Sequence, residues 1–169
     1  MPEAAFSLGS NLGDRLTHLQ EARNRLCAFP GVRLAAQSSV YETDPIGVRP
    51  EYEELKYLNV VLVFNAPLGA EAWHALSSEV ETALGRVRTE DRYAPRTIDI
   101  DLLYCDQEQL DTASLHVPHP QWSRRLFVVQ PLAEVRPNLL LPGATCPVST
   151  LLPGLKTGKE KVAVYARIW

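Results

Sequence analysis

The sequence predicts an α+β fold, one domain over residues 1–169, built on a largely antiparallel sheet. Three observations lead there. Stretches of strand and helix character follow one another roughly as βαββαβ. Two of the strand stretches, Tyr57 to Phe64 and Ile98 to Tyr104, are dense in branched apolar residues. Two further stretches carry apolar residues near helical spacing and stop at glycine or proline.

Taken in order, Ala4 to Leu8 reads as a strand closed by Gly9-Ser10-Asn11. A helix follows, with Asp14 as N-cap, Leu16, Leu19, Leu26 and Phe29 near one stripe, and Pro30-Gly31 as its stop. Val32 to Tyr41 reads as one strand, and Thr43 to Glu54 as a long polar loop holding Pro45, Gly47 and Pro50. Tyr57 to Phe64 is the next strand. Glu71 to Leu84 is an amphipathic helix with Trp73, Leu76, Val80 and Leu84 on one stripe and Gly85 as its stop. Residues 86–97 form an arginine-rich connection to the strand Ile98 to Tyr104. Ser123 to Glu134 includes a helix leading to Pro137, and the pattern beyond Pro142 gives no clear element.

Apolar residues make up 46% and charged residues 22% of the chain, an ordinary globular balance. The net charge of −3 supplies no global field towards nucleic acid or an anionic membrane, so any anion site is built from a few local arginines. No apolar run approaches the roughly 20 residues needed to span a bilayer. The N-terminus shows no basic region followed by an apolar stretch, which argues against export. Cys27, Cys105 and Cys146 are odd in number and widely spaced, fitting neither a disulfide framework nor a CxxC site. The expectation is a cytoplasmic protein with reduced cysteines.

The chemistry concentrates between Arg86 and Leu103. Side chains alternate along a strand, so Asp99, Asp101 and Leu103 share one face while Ile98, Ile100 and Leu102 share the other. The two aspartates lie roughly 6.6 Å apart, from two rises of ~3.3 Å. Like charges that close on a half-buried strand repel, and a divalent cation between them removes the conflict. Oxygen-only ligands suit magnesium, which completes its shell with waters and substrate phosphates. Arg86, Arg88, Arg92 and Arg96, just upstream, offer the paired donors that phosphate accepts. A solvated strand edge beside surface arginines would show the same spacing, and spacing alone does not decide between the two.

The run Arg86 to Leu103, with Pro95-Arg96-Thr97-Ile98-Asp99-Ile100-Asp101-Leu102-Leu103 at its heart, closely resembles the signature of the 6-hydroxymethyl-7,8-dihydropterin pyrophosphokinase family. Other blocks agree, in that family's order: Ser7-Leu8-Gly9-Ser10-Asn11-Leu12-Gly13-Asp14-Arg15, then Ser38 to Gly47, Tyr57-Leu58-Asn59, and Val117-Pro118-His119-Pro120 followed by Arg125 and Phe127. The resemblance runs from about residue 6 to residue 142. It implies a three-layer α-β-α arrangement with a ferredoxin-like core, helices covering both faces of the sheet. It also implies transfer of pyrophosphate from ATP to the hydroxymethyl group of a reduced pterin, in folate biosynthesis.

By that match Asp99 and Asp101 hold two magnesium ions, and Arg86 and Arg96 assist transfer at the triphosphate. Arg88, His119 and Arg125 meet phosphate or nucleotide, while Glu81, Tyr93, Leu102 and His116 fall at ATP-contact positions. Tyr57 and Phe127 match the two rings that stack on the pterin. Asn59 offers donors and acceptors to its 2-amino-4-oxo edge, and Gly9, Thr43, Asp44, Pro45 and Ile46 complete the pterin site. Without the family, Tyr57 and Phe127 would read as core aromatics. Asn59 would still stand out, because an amide between Leu58 and Val60 on a central strand needs partners. His18 and His74 match nothing and read as helix-surface residues.

Two features depart from the family's pattern. The loop from Gly47 to Asn59 is a few residues longer than usual and acidic, with Glu51, Glu53 and Glu54, and Tyr93 stands where some members have tryptophan. The expected partners are ATP and the reduced hydroxymethylpterin, with no nucleic acid and no membrane, for a monomeric enzyme. A magnesium-dependent phosphohydrolase could use the same aspartates, yet would need no pterin-shaped slot. An α+β RNA-binding module would set basic residues beside exposed aromatics on its sheet, where this chain sets aspartates.

Overall fold

The computed structural model describes residues 1–169. The chain runs through β1 (Glu3–Ser10), α1 (Arg15–Cys27), β2 (Arg33–Gln37), β3 (Val40–Thr43), β4 (Tyr57–Asn65), α2 (Ala70–Ala83) and β5 (Asp99–Cys105). The two-residue strands β6 (Leu110–Asp111) and β7 (His116–Val117) follow, then α3 (Leu126–Val135), α4 (Leu152–Lys156) and β8 (Val162–Ala166). Every strand pairing is antiparallel. The main sheet runs β5-β1-β4-β3-β8, with β2 also paired to β4. With β2 and β3 counted as halves of one broken strand, the βαββαβ strands lie in the order fourth, first, third, second, a ferredoxin-like arrangement.

Both faces of the sheet are buried, because successive side chains of β1, β4 and β5 feed two cores. Phe6, Leu8, Val60, Phe64, Ile100 and Leu102 face α1 and α2, meeting Leu19, Leu26, Trp73 and Val80. The rings of Phe6 and Trp73 pack edge to face at 5.3 Å, and Phe64 lies 5.8 Å from Trp73. Ala5, Val61, Val63 and Leu103 face the other way, under Val128, Val129 and Leu132 of α3. Leu103 therefore continues the aspartate face of β5 into a second core.

Local chemistry sets the helix ends. Asp14 accepts the Thr17 N–H at 3.1 Å as the N-cap of α1. The N-terminus of α2 has no cap of its own, and Glu108 accepts the Ala70 N–H at 3.2 Å from across the fold. Gly85 follows α2 with φ +79°, a left-handed conformation that costs glycine little. No helix is long and apolar enough to cross a membrane.

The structure differs from the sequence reading at several places. β1 runs on through Gly9 and Ser10, which pair with Asn59 and Leu58. The stretch Val32 to Tyr41 is two strands, interrupted at buried Ser38-Ser39. The Ser38 hydroxyl accepts the Val61 N–H at 2.9 Å, while the Ser39 N–H and hydroxyl donate to Glu134 of α3. Side chains thus replace part of the ladder, and β2 and β3 reach the same partner at different places along it. The loop after β3 contains a 3-10 turn at Pro50–Tyr52. Finally, the C-terminal segment adds β8 at the edge of the sheet, paired with β3 from Val40↔Ala166 to Thr43↔Val162 with a register shift between Val40 and Tyr41.

Candidate active site

The register of three strands builds the floor of the site. Gly9 of β1 lies opposite Asp99 of β5 on one side and Asn59 of β4 on the other, while Ser7 lies opposite Asp101. All five share the sheet face that α3 covers, beyond the end of that helix. Thr43 pairs with Tyr57 at the far side of β4. The first turn of α3 brings Arg125 and Phe127 over this floor, with the Arg125 guanidinium 5.7 Å from the Phe127 ring centre.

These residues line a cavity of about 350 Å³. Each expected pterin residue is there: Gly9, Thr43, Asp44, Pro45, Ile46, Tyr57, Asn59 and Phe127. Asn59 and Thr43 are buried, and the Asn59 amide Nδ2 donates to Thr43 Oγ1 at 2.7 Å. That bond fixes the amide and leaves its oxygen beside Gly9. A Cβ at Gly9 would come within 2.9 Å of Asn59 Oδ1, so the absence of a side chain is what keeps the floor open. Burial pushes the Tyr57 phenol up from its ordinary pKa, against the opposing pull of Arg96.

A second cavity of about 420 Å³ is lined by Arg86, Arg88, Arg92, Arg96, His119 and Arg125, and a third of about 230 Å³ by Glu81, Leu102, His116 and His119 among others. Asp99 and Asp101 border all three. The aspartates stand where an aromatic slot, an arginine basin and a smaller recess meet.

The two carboxylates differ in company. Arg86 pairs with Asp99 at 2.5 Å and Arg96 pairs with it at 3.2 Å, whereas no salt bridge reaches Asp101. Burial pushes Asp101 up to about 7, with the Asp99 and Glu81 carboxylates adding to the rise. Glu81, buried under the site, accepts the Ile100 N–H at 2.7 Å and also pairs with Arg86 at 2.5 Å. It therefore steadies both β5 and the arginine, and burial raises its own pKa. No group of three or more His, Cys, Asp and Glu side chains is disposed to hold a metal ion. Two oxygen-donor residues, one outside any salt bridge, with an arginine basin alongside, fit magnesium that takes its remaining ligands from phosphate and water.

Several placements modify the sequence reading. Tyr93, expected at the nucleotide, lines the aromatic slot and neither of the other two cavities, because the connection after Arg92 folds over that side. Arg88 extends largely into solvent, with one long contact to Glu81 at 3.5 Å. His116 pairs with Asp111 at 2.6 Å on the rim, and burial lowers the pKa of His119. His74, read as surface, lines the third cavity, and His18 Nδ1 lies 3.4 Å from Ser10 Oγ. Residues that sequence reasoning missed include Ser7 and Glu160, both on the slot, and Asn11. The Asn11 side chain accepts the Arg96 N–H at 2.8 Å and sets that arginine's backbone. Ser7 and Asn11 lay within a quoted motif and carried a signal. Glu160 carried none.

The chain is similar to known proteins in sequence and in fold. A sequence model of the family described as 7,8-dihydro-6-hydroxymethylpterin-pyrophosphokinase (HPPK) matches residues 5–137. A Bacillus subtilis protein named 2-amino-4-hydroxy-6-hydroxymethyldihydropteridine pyrophosphokinase is 40% identical over 132 residues, 78% of this chain and 77% of that protein. Proteins of the same name from Methylorubrum extorquens and Mycobacterium tuberculosis are 38% identical, over 86% of this chain and 89% of theirs, and 37% identical, over 92% and 85%. Among solved structures, an HPPK-DHPS in complex with substrates superposes with a TM-score of 0.69 at 12% identity, over 90% of this chain and 43% of that one. A wild-type Plasmodium falciparum HPPK-DHPS superposes with a TM-score of 0.67 at 13% identity, over 91% and 43%. At those identities the likeness concerns the fold, and this chain spans less than half the length of those proteins.

Proposed function

The chain belongs to the 7,8-dihydro-6-hydroxymethylpterin-pyrophosphokinase family, and from that premise we propose that it transfers pyrophosphate from ATP to 6-hydroxymethyl-7,8-dihydropterin, a step of folate biosynthesis. The observation that carries this reading is the shared border of the cavities. Asp99 and Asp101 line both an aromatic slot sized for a bicyclic ring and an arginine basin suited to a triphosphate.

In the proposed reaction the hydroxymethyl oxygen bonds to the β-phosphorus of ATP. The bond from that phosphorus to the oxygen bridging it to the α-phosphate breaks, AMP leaves with that oxygen, and the hydroxyl proton passes to solvent. Positioning and charge neutralisation dominate such a transfer. The slot holds the pterin between Tyr57 and Phe127, and Asn59 and Thr43 meet its polar edge. Arg86 and Arg96 exchange their pairing with Asp99 for phosphate oxygens, and Arg88, His119 and Arg125 bind the rest of the triphosphate. Glu81, Leu102 and His116 border the nucleotide, and Tyr93 covers the pterin side.

Magnesium, two ions in this proposal, would sit at Asp99 and Asp101 and supply neutralisation of the triphosphate. The enzyme is proposed to work as a cytoplasmic monomer of one domain, on these two small molecules, with no nucleic acid or membrane involved. The net charge of −3 supports that choice of partners. The test is product identity: with Mg-ATP and the hydroxymethylpterin, AMP should appear in step with pterin consumption. ADP as the main nucleotide product overturns the proposal.

A further inference from the structure

Building on the pterin reading of the slot, we propose that Glu160 is a positioning residue for pterin binding, bracing the first turn of α3 and, through it, Phe127. Residue 160 lies outside the segment matched by the family model, which ends at residue 137.

The helix needs such a brace. Arg125, the N-cap of α3, provides no side-chain cap, and the first turn contains no acidic residue. The Glu160 carboxylate fills that role from 34 residues away. Its Oε2 accepts the Leu126 N–H at 2.8 Å and the Phe127 N–H at 3.4 Å. A side-chain oxygen at a helix N-terminus accepts from N–H donors that have no partner within the helix. Leu126 is buried as an anchor, and Phe127 turns into the slot that Glu160 itself lines.

The same segment is fixed at its other end. Two residues beyond Glu160, Val162 begins β8 opposite Thr43, the residue that orients Asn59. The terminal Trp169 Nε1 donates to the Ser38 carbonyl at 2.8 Å. Arg23 donates to the Trp169 carbonyl at 2.8 Å and lies 4.6 Å over its ring. Residues 160–162 thus link the Thr43–Asn59 wall of the slot to the Phe127 wall. The sheet-paired tail sets the spacing between the surfaces that grip the ring.

The variants Glu160→Gln, Glu160→Asp and Glu160→Ala separate reach from charge. Glutamine keeps an oxygen acceptor at the same reach, aspartate keeps the charge but is a methylene shorter, and alanine removes both. We expect affinity for 6-hydroxymethyl-7,8-dihydropterin, measured with a non-hydrolysable Mg-ATP analogue present, to fall about fivefold or more in the alanine and aspartate variants, the scale of one lost helix cap. The glutamine variant should stay within about twofold, and analogue affinity should stay within about twofold in all three, both inside ordinary scatter for an undisturbed site. Amide exchange at Leu126 and Phe127, read without any ligand, should quicken in the alanine and aspartate variants only. Should the alanine variant fail to fold, the aspartate and glutamine variants decide the matter. Pterin affinity unchanged in the aspartate variant, or a glutamine variant as weak as the aspartate one, overturns the inference, as does equal loss of pterin and nucleotide. Wild-type protein that binds no pterin and forms no AMP refutes the function itself, and the positioning role falls with it.

Discussion

Replacing Gly9 by alanine should damage pterin binding while leaving the nucleotide side intact. Gly9 sits between Asp99 and Asn59 in the floor of the slot. A methyl group there meets Asn59 Oδ1 at 2.9 Å and Tyr57 Cδ1 at 3.6 Å. The constraint is space, since Gly9 lies in an ordinary extended strand with no positive φ. Asn59 is buried and bound to Thr43 at 2.7 Å, so its amide yields only by breaking that bond or pushing the strands apart. Overpacking of this kind costs ~1–3 kcal/mol, and a lost buried hydrogen bond costs ~1 kcal/mol. If the strain falls on the slot, pterin affinity drops from about fivefold to over a hundredfold. Fluorescence titration of the pterin, with the nucleotide analogue titrated separately, reads the effect. Pterin affinity within about twofold of wild type would refute the reasoning, being too small for the clash. Adding Asn59→Ala supplies an internal check. With the clashing oxygen gone, Gly9→Ala should add less than ~0.5 kcal/mol, and an undiminished second cost would show that the clash is not the cause.

Arg96→Ala should lower kcat more than pterin affinity, because charge developing in transfer loses its partner, and Arg96→Lys should recover only part. Steady-state kinetics checks this, and an unchanged kcat rejects the role. Asp101 gives a pH signature in metal-free protein. Its folded pKa of about 7 lies above the ordinary carboxylate value, chiefly through burial, so the unfolded chain loses this proton first as pH rises. The group then costs stability increasingly between about pH 4 and 7, and by a constant amount above that. Asp101→Asn should therefore be more thermostable than wild type by a margin that grows over that window. A margin independent of pH in chelator-treated melts would contradict it.

The elements legible in the sequence are those whose signals are local. Asp14 and Gly85 announced the ends of their helices through chemistry confined to a few residues. The alternation of Asp99, Ile100, Asp101 and Leu102 was enough to separate the acidic face from the core. The Val32–Tyr41 stretch misled because the break at Ser38-Ser39 is stabilised by Val61 and Glu134, distant partners that leave no mark on local periodicity. The strand β8 was hidden for a similar reason: it is short, largely exposed, and held by pairing with β3 across the whole chain. Within the site, the residues that the family motifs single out for the pterin line one cavity. Tyr93 lines that same slot and not the arginine basin, a placement its position in a motif could not reveal, because it depends on where a long connection folds.

The most direct measurement is the phosphorus spectrum of a complete reaction with Mg-ATP and 6-hydroxymethyl-7,8-dihydropterin. The account predicts AMP and a pterin carrying two coupled phosphorus nuclei in equal amounts, because the β- and γ-phosphates move together across the junction at Asp99 and Asp101. A pterin monophosphate with ADP, or free phosphate with the pterin unmodified, would contradict it.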